Sequence, residues 1–464
     1  MNTSRIPIQS LTGKIGDQVR IAGWVHTHRN MGKMVFFNVR DASGVVQVVA
    51  LSKPTDVFEH ASQLNTEFVV EVQGIVNERP AKLKNPDMET GSIELLAEKI
   101  TVLNPAKTTP FEINSEAKHI SEELRYRYRY LDLRKPSVRK KIVFRSAFVT
   151  YIRTFLAGEG FIEIETPILG KSTPEGARDY LVPSRQFKGK FYALPQSPQQ
   201  YKQLLMVAGF EKYFQVAPCF RDEDARADRA PDQFYQLDME MAFTDQDEIL
   251  ALIERMFTSL VKDLLPEKHI TTTPWPRLTY AEAMAKYHTD KPDLRKDPKD
   301  PNELAFCFVV DFPLFEPQLE NGHYAPMHHI FTRPKEEDIA LLDSDPLKVR
   351  SWQHDFVLNG IEVGGGSLRI YTRELQEHIF KLVGLDVEKA KVQFGHMLEA
   401  FEFGAPPHGG IAPGIDRLLM MLLNEDNVRE VVAFPKSTDN RDLLMGAPSE
   451  VDEAQLKDLH IRLQ

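Results

Sequence analysis

Residues Phe220–Phe243 read FRDEDARADRAPDQFYQLDMEMAF, and their pattern predicts two strands joined by an arginine-rich loop. In the second strand, polar and apolar residues alternate, which places Phe234, Gln236, Asp238 and Glu240 on one face. Burying acids within an apolar strand is costly unless they are paired. We therefore interpret the stretch as a binding hairpin for a small ligand that carries both positive and negative charge, rather than as a solvated charged loop.

This hairpin resembles motif 2 of the class II aminoacyl-tRNA synthetases, specifically the bacterial aspartyl type. A helical pattern over Lys140–Gly158, followed by the predicted strand GFIEIETPIL, resembles motif 1, and HGGIAPGIDRLLMMLL resembles motif 3. The resemblance extends over nearly the whole chain. It implies an enzyme that activates L-aspartate with ATP and transfers it to tRNA(Asp), and it implies a homodimer built on motif 1.

Composition narrows the class of protein independently. The 464 residues predict two to four domains, and 42% apolar with 27% charged residues is ordinary for a globular protein. No run of eighteen apolar residues occurs and the N-terminal residues lack an apolar signal segment, so we expect no membrane association and a cytoplasmic location. The only two cysteines, Cys219 and Cys307, indicate neither a disulfide framework nor a zinc site. A net charge of −10 argues against nonspecific nucleic-acid binding but not against a selective tRNA-binding surface.

The N-terminal part predicts a small β-barrel. Strands are predicted at Gln18–His26, Val35–Arg40, Val45–Ala50, Phe68–Asn77 and Ser92–Leu103. With a helix near Asp56–Asn65, this pattern fits an oligonucleotide-binding (OB) barrel, although other small barrels fit the composition equally well. The segment GWVHTHRNMGKMVFFNVRDASGVVQVV resembles the anticodon-binding domain of aspartyl-tRNA synthetases, which favours the OB barrel.

That resemblance implies that Arg29, Phe36 and Gln47 bind the anticodon. An aromatic ring can stack on any base, while a guanidinium or an amide can read a base edge. For Phe36 a position in the barrel core fits the residues as well, because Phe37 beside it must face the opposite way.

The predicted organisation is an OB barrel over 1–104, a linker over 105–139 and a class II catalytic domain over 140–464. For the catalytic domain we expect a mixed, mainly antiparallel sheet flanked by helices. Bacterial aspartyl enzymes carry a large inserted domain after the KPDLR segment. Here that insertion is reduced to about residues 296–303.

The resemblance also implies the catalytic site. Its aspartate-binding residues would be Glu175, Gln199, Lys202, Asp238, His328 and Arg369. Its ATP-binding residues would be Arg221, Glu223, Phe234, Gln236, Glu362, Gly414 and Arg417, of which Arg221, Glu223 and Arg417 would be catalytic.

Residue chemistry agrees with several of these roles. Arg369 offers a bidentate fork for a carboxylate, and the preceding glycines Gly364–Gly366 let a backbone approach a ligand closely. Asp355 and Glu362 are hard oxygen donors suited to Mg²⁺. Lys202 and Arg369 would disfavour asparagine, because its neutral amide would leave their charges unpaired.

Three alternatives remain open. The chain resembles the asparaginyl enzyme less closely, and a noncatalytic tRNA-binding paralogue is opposed by the complete set of ATP-site residues. The third is a non-discriminating enzyme that also charges tRNA(Asn). Met31, in the loop predicted to approach the third anticodon base, offers that base no hydrogen bond, and this favours the strict form.

Overall fold

The computed structural model describes residues 4–114, 120–172, 176–223 and 232–463. The chain divides into two compact units, residues 1–124 and 125–464. The division lies inside the predicted linker 105–139, whose own limits stay a prediction. None of the helices in the described ranges is long and apolar enough to cross a membrane.

The N-terminal unit is a closed five-stranded barrel, as predicted. Its strands are β1 (Gln18–Asn30), β2 (Met34–Arg40), β3 (Val45–Leu51), β4 (Val69–Glu78) and β5 (Ile93–Asn104), with helix α1 (Thr55–Ser62) after β3. They pair in the order β1-β2-β3-β5-β4, and β4 closes onto β1. Alternate residues fill the interior. Phe37 is 1% exposed in this core, while Phe36 lies on the outer face, so the core position for Phe36 is excluded.

The second unit is built on an eight-stranded sheet. Its strands are β6 (Ile162–Glu163), β9 (Lys212–Phe220), β10 (Gln233–Ala242), β12 (Arg277–Thr279), β14 (Phe306–Val310), β17 (Gln353–Leu358), β18 (Ile361–Leu368) and β19 (His408–Pro413). Their order is β12-β14-β17-β18-β19-β10-β9-β6. Every internal pairing is antiparallel, and only the two edge pairings, β12 with β14 and β6 with β9, are parallel. This confirms the mixed, mainly antiparallel sheet.

Three two-stranded sheets accompany it. They are β7 (Leu181–Pro183) with β8 (Phe191–Ala193), β11 (His269–Ile270) with β13 (Glu303–Leu304), and β15 (Phe315–Glu320) with β16 (His323–Pro326).

Further helices follow in chain order. They are α2 (Glu122–Arg127), α3 (Arg129–Asp132), α4 (Pro136–Gly158), α5 (Gln199–Val207), α6 (Gln246–Leu264), α7 (Tyr280–Tyr287), α8 (Arg373–Leu382), α9 (Val387–Phe401), α10 (Ile415–Leu422) and α11 (Glu453–Asp458). Apolar residues of α4, α6 and α10 pack with those of the central strands in one large core. Helix α6 begins at an Asp245 cap whose side chain accepts from the backbone N–H of Glu248.

One expectation needs adjustment. The motif 1 strand is shorter than GFIEIETPIL predicts, because only Ile162–Glu163 pairs, at the sheet edge, with β9. Beyond it, Thr166 instead donates from its hydroxyl to the Gln215 side chain at 2.9 Å. The segment that replaces the inserted domain is a tight loop, in which the Glu303 carboxylate accepts from the backbone N–H groups of Lys296 and Asp297, each at 2.8 Å.

Candidate active site and barrel surface

A pocket of about 600 Å³ opens on the face of the large sheet formed by β10 and β18. Among the predicted site residues, its lining includes Gln199, Lys202, Arg221, Glu223, Phe234, Gln236, Asp238, His328, Glu362, Arg369, Gly414 and Arg417. Asp355 is buried beside the lining. The predicted Glu175 lies outside the described residues.

Four fully buried charges form one end of the pocket. The Lys202 Nζ lies 2.6 Å from Asp238 Oδ1 and 3.3 Å from Glu240 Oε2. Arg369 binds Glu240 with two hydrogen bonds, Nε to Oε1 at 2.9 Å and Nη2 to Oε2 at 3.2 Å. The two cations and two anions balance, which is the condition under which charges are tolerated in an interior.

A hydrogen-bond inventory shows what this cluster leaves for a ligand. Arg369 has five N–H groups, and four are used, since Nη1 also donates to Ser367 Oγ at 2.8 Å and to His329 Nε2 at 2.7 Å. Lys202 has three, and its contacts with Asp238 and Glu240 use two. Within the described structure, each cation therefore keeps one N–H, on Lys202 Nζ and on Arg369 Nη2. Both of these nitrogens contact Glu240 Oε2.

The surroundings fix the protonation of these groups. Burial opposes ionisation of Glu240, but Arg369 and Lys202 outweigh it and hold the pKa of Glu240 below its ordinary value. Burial, reinforced by the Arg369 charge, holds the pKa of His329 well below its ordinary value. His329 is thus a neutral ring whose Nε2 accepts from Arg369.

Motif 3 contributes a glycine that makes room for this cluster. Gly410 on β19 pairs with Glu240 on β10. A methyl group at position 410 would lie 2.3 Å from Glu240 Oε2 and 1.9 Å from the Met239 carbonyl oxygen. No larger residue fits there without displacing Glu240.

Two carboxylates converge farther along the pocket. A Cβ placed on Gly365 would lie 3.2 Å from Asp355 Oδ1 and 3.7 Å from Glu362 Oε1, so both oxygens face the space that the missing side chain leaves open. Lys291 Nζ lies 3.3 Å from Glu362 Oε2, and His328 Nε2 lies 3.4 Å from Asp355 Oδ2. Burial alone would lower the pKa of His328, but the charges of Asp355 and Glu362 raise it above its ordinary value.

This pair fits a magnesium ion. Mg²⁺ binds proteins through one or two carboxylates and fills its remaining positions with water and phosphate oxygens. Across the described residues no cluster of three or more His, Cys, Asp or Glu side chains is arranged to hold a metal. Asp355 and Glu362 therefore suit an ion whose other positions a phosphate ligand and water fill.

The opposite end of the pocket carries an arginine stacked on an aromatic ring. The Arg221 guanidinium lies 5.1 Å from the centre of the Phe234 ring. Among the residues described, no group accepts a hydrogen bond from the buried Arg221 Nε. Arg417, in the first turn of α10, donates from Nη1 to the Glu362 carbonyl oxygen. A flat cationic surface and two arginines suit a nucleotide.

Asp416 joins all three motifs at this end. Its carboxylate accepts from Arg145 of the motif 1 helix α4 and, at 3.1 Å, from the backbone N–H of Tyr235 on the motif 2 strand β10. Arg145 also lies 5.5 Å from the centre of the Tyr235 ring. Arg417 follows Asp416 directly, so this network sets where α10 presents its arginine.

The outer face of the barrel groups the predicted anticodon residues. Arg29 on β1 lies directly opposite Phe36 on β2, and Gln47 lies on the next strand, β3. Gln47 Nε2 donates to Glu94 Oε2 at 3.3 Å, and the Nε of the buried Arg79 lies 3.9 Å from the same oxygen. The face therefore offers an aromatic ring, exposed donors and one carboxylate acceptor.

Several residues of these sites were not expected from the sequence. In the pocket they are His329 and Lys291, and on the barrel they are Glu94 and Arg79. The alternation in β10 already places Glu240 on the polar face with Asp238, and the structure adds Arg369 and Lys202 as its partners. His329 could not be distinguished from its neighbour His328, because the sequence does not show which of the two adjacent rings contacts Arg369.

Comparison with known proteins agrees with this geometry. Residues 121–438 match the family model described as "tRNA synthetases class II (D, K and N)", and residues 19–103 match "OB-fold nucleic acid binding domain". Two relatives named "Aspartate--tRNA(Asp/Asn) ligase" are similar over 97% of this chain. One, from Rubrobacter xylanophilus, is 43% identical with 95% of its own length covered, and one, from Dehalococcoides mccartyi, is 41% identical with 97% covered.

The alignment with the Rubrobacter relative spans 572 positions, which exceeds the 464 residues of this chain by 108, so at least that many of its residues have no counterpart here.

Solved structures share the fold. Asparaginyl-tRNA synthetase from Pyrococcus horikoshii, complexed with asparaginyl-adenylate, superposes with a TM-score of 0.74 at 23% identity, covering 94% of this chain and 98% of that one. Aspartyl-tRNA synthetase from Entamoeba histolytica gives 0.75 at 23% identity, covering 94% and 92%. With its sheet, its three motifs and its matching family model, the chain belongs to the class II aminoacyl-tRNA synthetases.

Proposed function

We propose that this enzyme is an aspartate–tRNA ligase, which forms aspartyl-adenylate from L-aspartate and ATP and transfers the aspartyl group to tRNA(Asp). The observation that carries the proposal is the buried Lys202–Arg369 pair, each with one N–H left beside the same Glu240 oxygen. A side-chain carboxylate accepts from both donors. Asp238 and Gln199, also in the lining, offer oxygens to the substrate ammonium. The names of the 41–43% identical relatives support this assignment.

The same inventory accounts for selection against asparagine. Its side-chain amide has one acceptor oxygen, so its NH₂ group would face a remaining donor of Lys202 or Arg369. A buried donor left without an acceptor costs about 1–3 kcal/mol, and more when the donor is charged. Discrimination against asparagine therefore has two causes. Its NH₂ group would face an N–H donor of Lys202 or Arg369, and its side chain lacks the negative charge of aspartate.

In the first reaction the α-carboxylate oxygen of aspartate attacks the α-phosphorus of ATP, and the bond from that phosphorus to the pyrophosphate oxygen breaks. No protein nucleophile takes part, so the enzyme acts by positioning and charge stabilisation. Arg221, which lines the pocket, stabilises charge on the α-phosphate. Phe234 and Arg417 hold the adenine between them, with Glu223, Gln236 and Gly414 completing the nucleotide site.

Asp355 and Glu362 would hold the magnesium ion that accompanies ATP. When bound, Mg²⁺ neutralises phosphate oxygens and orients the pyrophosphate leaving group. The chain's own part is to present two carboxylate oxygens toward the open space above Gly365.

In the second reaction a hydroxyl oxygen of the terminal adenosine of tRNA attacks the carbonyl carbon of the adenylate. The ester bond forms, the mixed anhydride breaks, and AMP leaves with the phosphate oxygen. The homodimer and the cytoplasmic location are further parts of the proposal that rest on the family resemblance.

Aspartate-dependent ATP–pyrophosphate exchange tests the proposed activity. We expect exchange with L-aspartate and at least about 10²-fold less efficient exchange with L-asparagine, given the cost of an unmatched buried charge. Preference for asparagine would identify an asparaginyl enzyme, and exchange with neither amino acid would favour a noncatalytic tRNA-binding protein.

A second candidate is the non-discriminating form, which also charges tRNA(Asn), and the relatives' "Asp/Asn" names favour it. Met31, 63% exposed at the barrel surface, favours the strict form because its apolar side chain offers a base no hydrogen bond. Charging of purified tRNA(Asp) and tRNA(Asn) transcripts decides between them. Comparable efficiency on both would show that Met31 does not impose discrimination.

Replacing Phe36 with Ala is expected to weaken tRNA charging about 5- to 150-fold, the loss that accompanies about 1–3 kcal/mol of base stacking. ATP–pyrophosphate exchange without tRNA should stay unchanged, because Phe36 belongs to the barrel. Both rates, measured on one preparation, check the prediction.

Phe37→Ala is the matched control, since Phe37 fills the barrel core beside Phe36. It should lower the thermal unfolding temperature of the barrel, whereas Phe36→Ala should leave that temperature near the wild-type value. Destabilisation by Phe36→Ala similar to that by Phe37→Ala would mean that Phe36 acts through packing.

A further inference from the structure

Behind the amino-acid end of the pocket, two side chains, those of His408 and Gln203, link a backbone carbonyl to Gln199. His408 Nδ1 lies 2.7 Å from the Pro406 carbonyl oxygen, and His408 Nε2 lies 3.2 Å from Gln203 Nε2. Gln203 Oε1 in turn lies 3.1 Å from Gln199 Nε2. His408 and Gln203 are fully buried, while Gln199 is 8% exposed and lines the pocket.

The direction of every hydrogen bond in this relay follows from the carbonyl at its end. A carbonyl oxygen only accepts, so His408 must carry its proton on Nδ1, and its Nε2 is then an acceptor. Gln203 therefore donates from Nε2 to His408 and must turn Oε1 toward Gln199. Gln199 donates from Nε2 to Gln203, which leaves Gln199 Oε1 outside the relay.

A neutral His408 ring is what this argument requires, and its surroundings provide it. Burial lowers the pKa of His408 below its ordinary value. The negative charge of Glu240 works in the opposite direction, and the positive charges of Arg369 and Lys202 add to the lowering.

We propose that Gln203 and His408 are positioning residues that fix the Gln199 amide with its oxygen toward the pocket, where it accepts from the substrate ammonium. A glutamine amide without such partners rotates, and half a turn places its NH₂ group, a donor, against the ammonium, also a donor. The inference rests on the proposed function, because it concerns an amino-acid substrate.

Gln203→Met removes the relay while keeping the length and volume of the side chain. We expect KM for aspartate in ATP–pyrophosphate exchange to rise about 10-fold or more, which corresponds to the loss of a hydrogen bond to a charged group. KM for ATP should not change. Competitive inhibition by succinate, which keeps both carboxylates of aspartate but lacks the ammonium, should also be unchanged.

Gln199→Glu provides the rescue. A carboxylate has an oxygen in both positions, so its orientation toward an ammonium needs no relay. When Gln203→Met is added to the Gln199→Glu variant, KM for aspartate should therefore not rise. A fall in KM is equally consistent with the relay, because Gln203→Met also removes the Gln203 oxygen that would face the carboxylate introduced at position 199. An equal rise in KM in both backgrounds would overturn the proposal.

The controls separate the possible failures. Absence of aspartate-dependent exchange by the wild-type enzyme would overturn the proposed function itself. A second outcome is that the wild-type enzyme catalyses exchange but Gln203→Met weakens the binding of aspartate and of succinate equally. That result would show that the change disrupts the whole pocket, and it would overturn the relay. If Gln203→Met does not fold, Gln203→Glu tests the same point, since one carboxylate oxygen still accepts from Gln199, while the other requires a proton on His408 Nε2, and the added negative charge does not weaken an ammonium contact. A raised KM for aspartate in Gln203→Glu would contradict the proposal.

Discussion

Exchanging Arg369 for Leu is expected to lower aspartate-dependent ATP–pyrophosphate exchange by about 10²–10³-fold or more, because removing one partner of a buried ion pair costs about 3–5 kcal/mol. The change removes the N–H that Arg369 keeps for a substrate carboxylate. It also removes four hydrogen bonds, to Glu240, Ser367 and His329. Exchange rates over a range of aspartate concentrations measure the effect.

The Arg369→Leu change is also expected to lower the free energy of unfolding, because Glu240 then keeps only Lys202 as a cationic partner. Thermal unfolding of the variant must therefore be recorded with its activity. Arg373→Leu is the matched control, since Arg373 lies four residues later and binds Glu377 and Glu402 on the helical surface. Unchanged KM for aspartate in a folded Arg369→Leu enzyme would remove Arg369 from the substrate pocket.

Much of the fold could be predicted because alternation along a strand reports burial directly. In β10 the polar face predicted for Gln236, Asp238 and Glu240 is the face that borders the pocket, and Phe36 and Phe37 divide between the two faces of β2. These patterns depend only on neighbours in the sequence. The motif 1 strand was predicted too long because its pairing ends at the sheet edge, which depends on tertiary structure.

The partners of the buried charges could not be predicted from the sequence. Glu240 and Arg369 are 129 residues apart, and their contact depends on the register of β10, β19 and β18. For the same reason the contact of His329 with Arg369 could not be predicted, while His328, which the resemblance places near the substrate, also lines the pocket.

This pairing changes the account of selectivity. From the sequence, Lys202 and Arg369 are two cations that await a substrate carboxylate. In the structure, Asp238 and Glu240 already neutralise them, and each cation keeps a single N–H for the ligand. Directional hydrogen bonding therefore accounts for more of the expected preference for aspartate than the sequence alone suggests.

Arg221→Gln is expected to lower kcat of ATP–pyrophosphate exchange by about 10²–10³-fold, the usual cost of losing a group that stabilises developing charge. Arg221 lines the pocket, and the Phe234 ring, whose centre lies 5.1 Å from the guanidinium, packs against it there. Charge on the α-phosphate grows as the carboxylate attacks, which makes the interaction stronger in the transition state than in the bound substrates. KM for aspartate should therefore change little.

Steady-state exchange at varied ATP and varied aspartate separates these effects. Arg255→Gln controls for the loss of a positive charge, because Arg255 is an exposed residue of α6 that binds Glu159 on the surface, and we expect it to keep the wild-type kcat. Loss of an interaction that is made equally with bound ATP and with the transition state would instead raise KM for ATP and leave kcat unchanged. That result for Arg221→Gln would assign Arg221 to ATP binding rather than to stabilisation of the charge that grows on the α-phosphate.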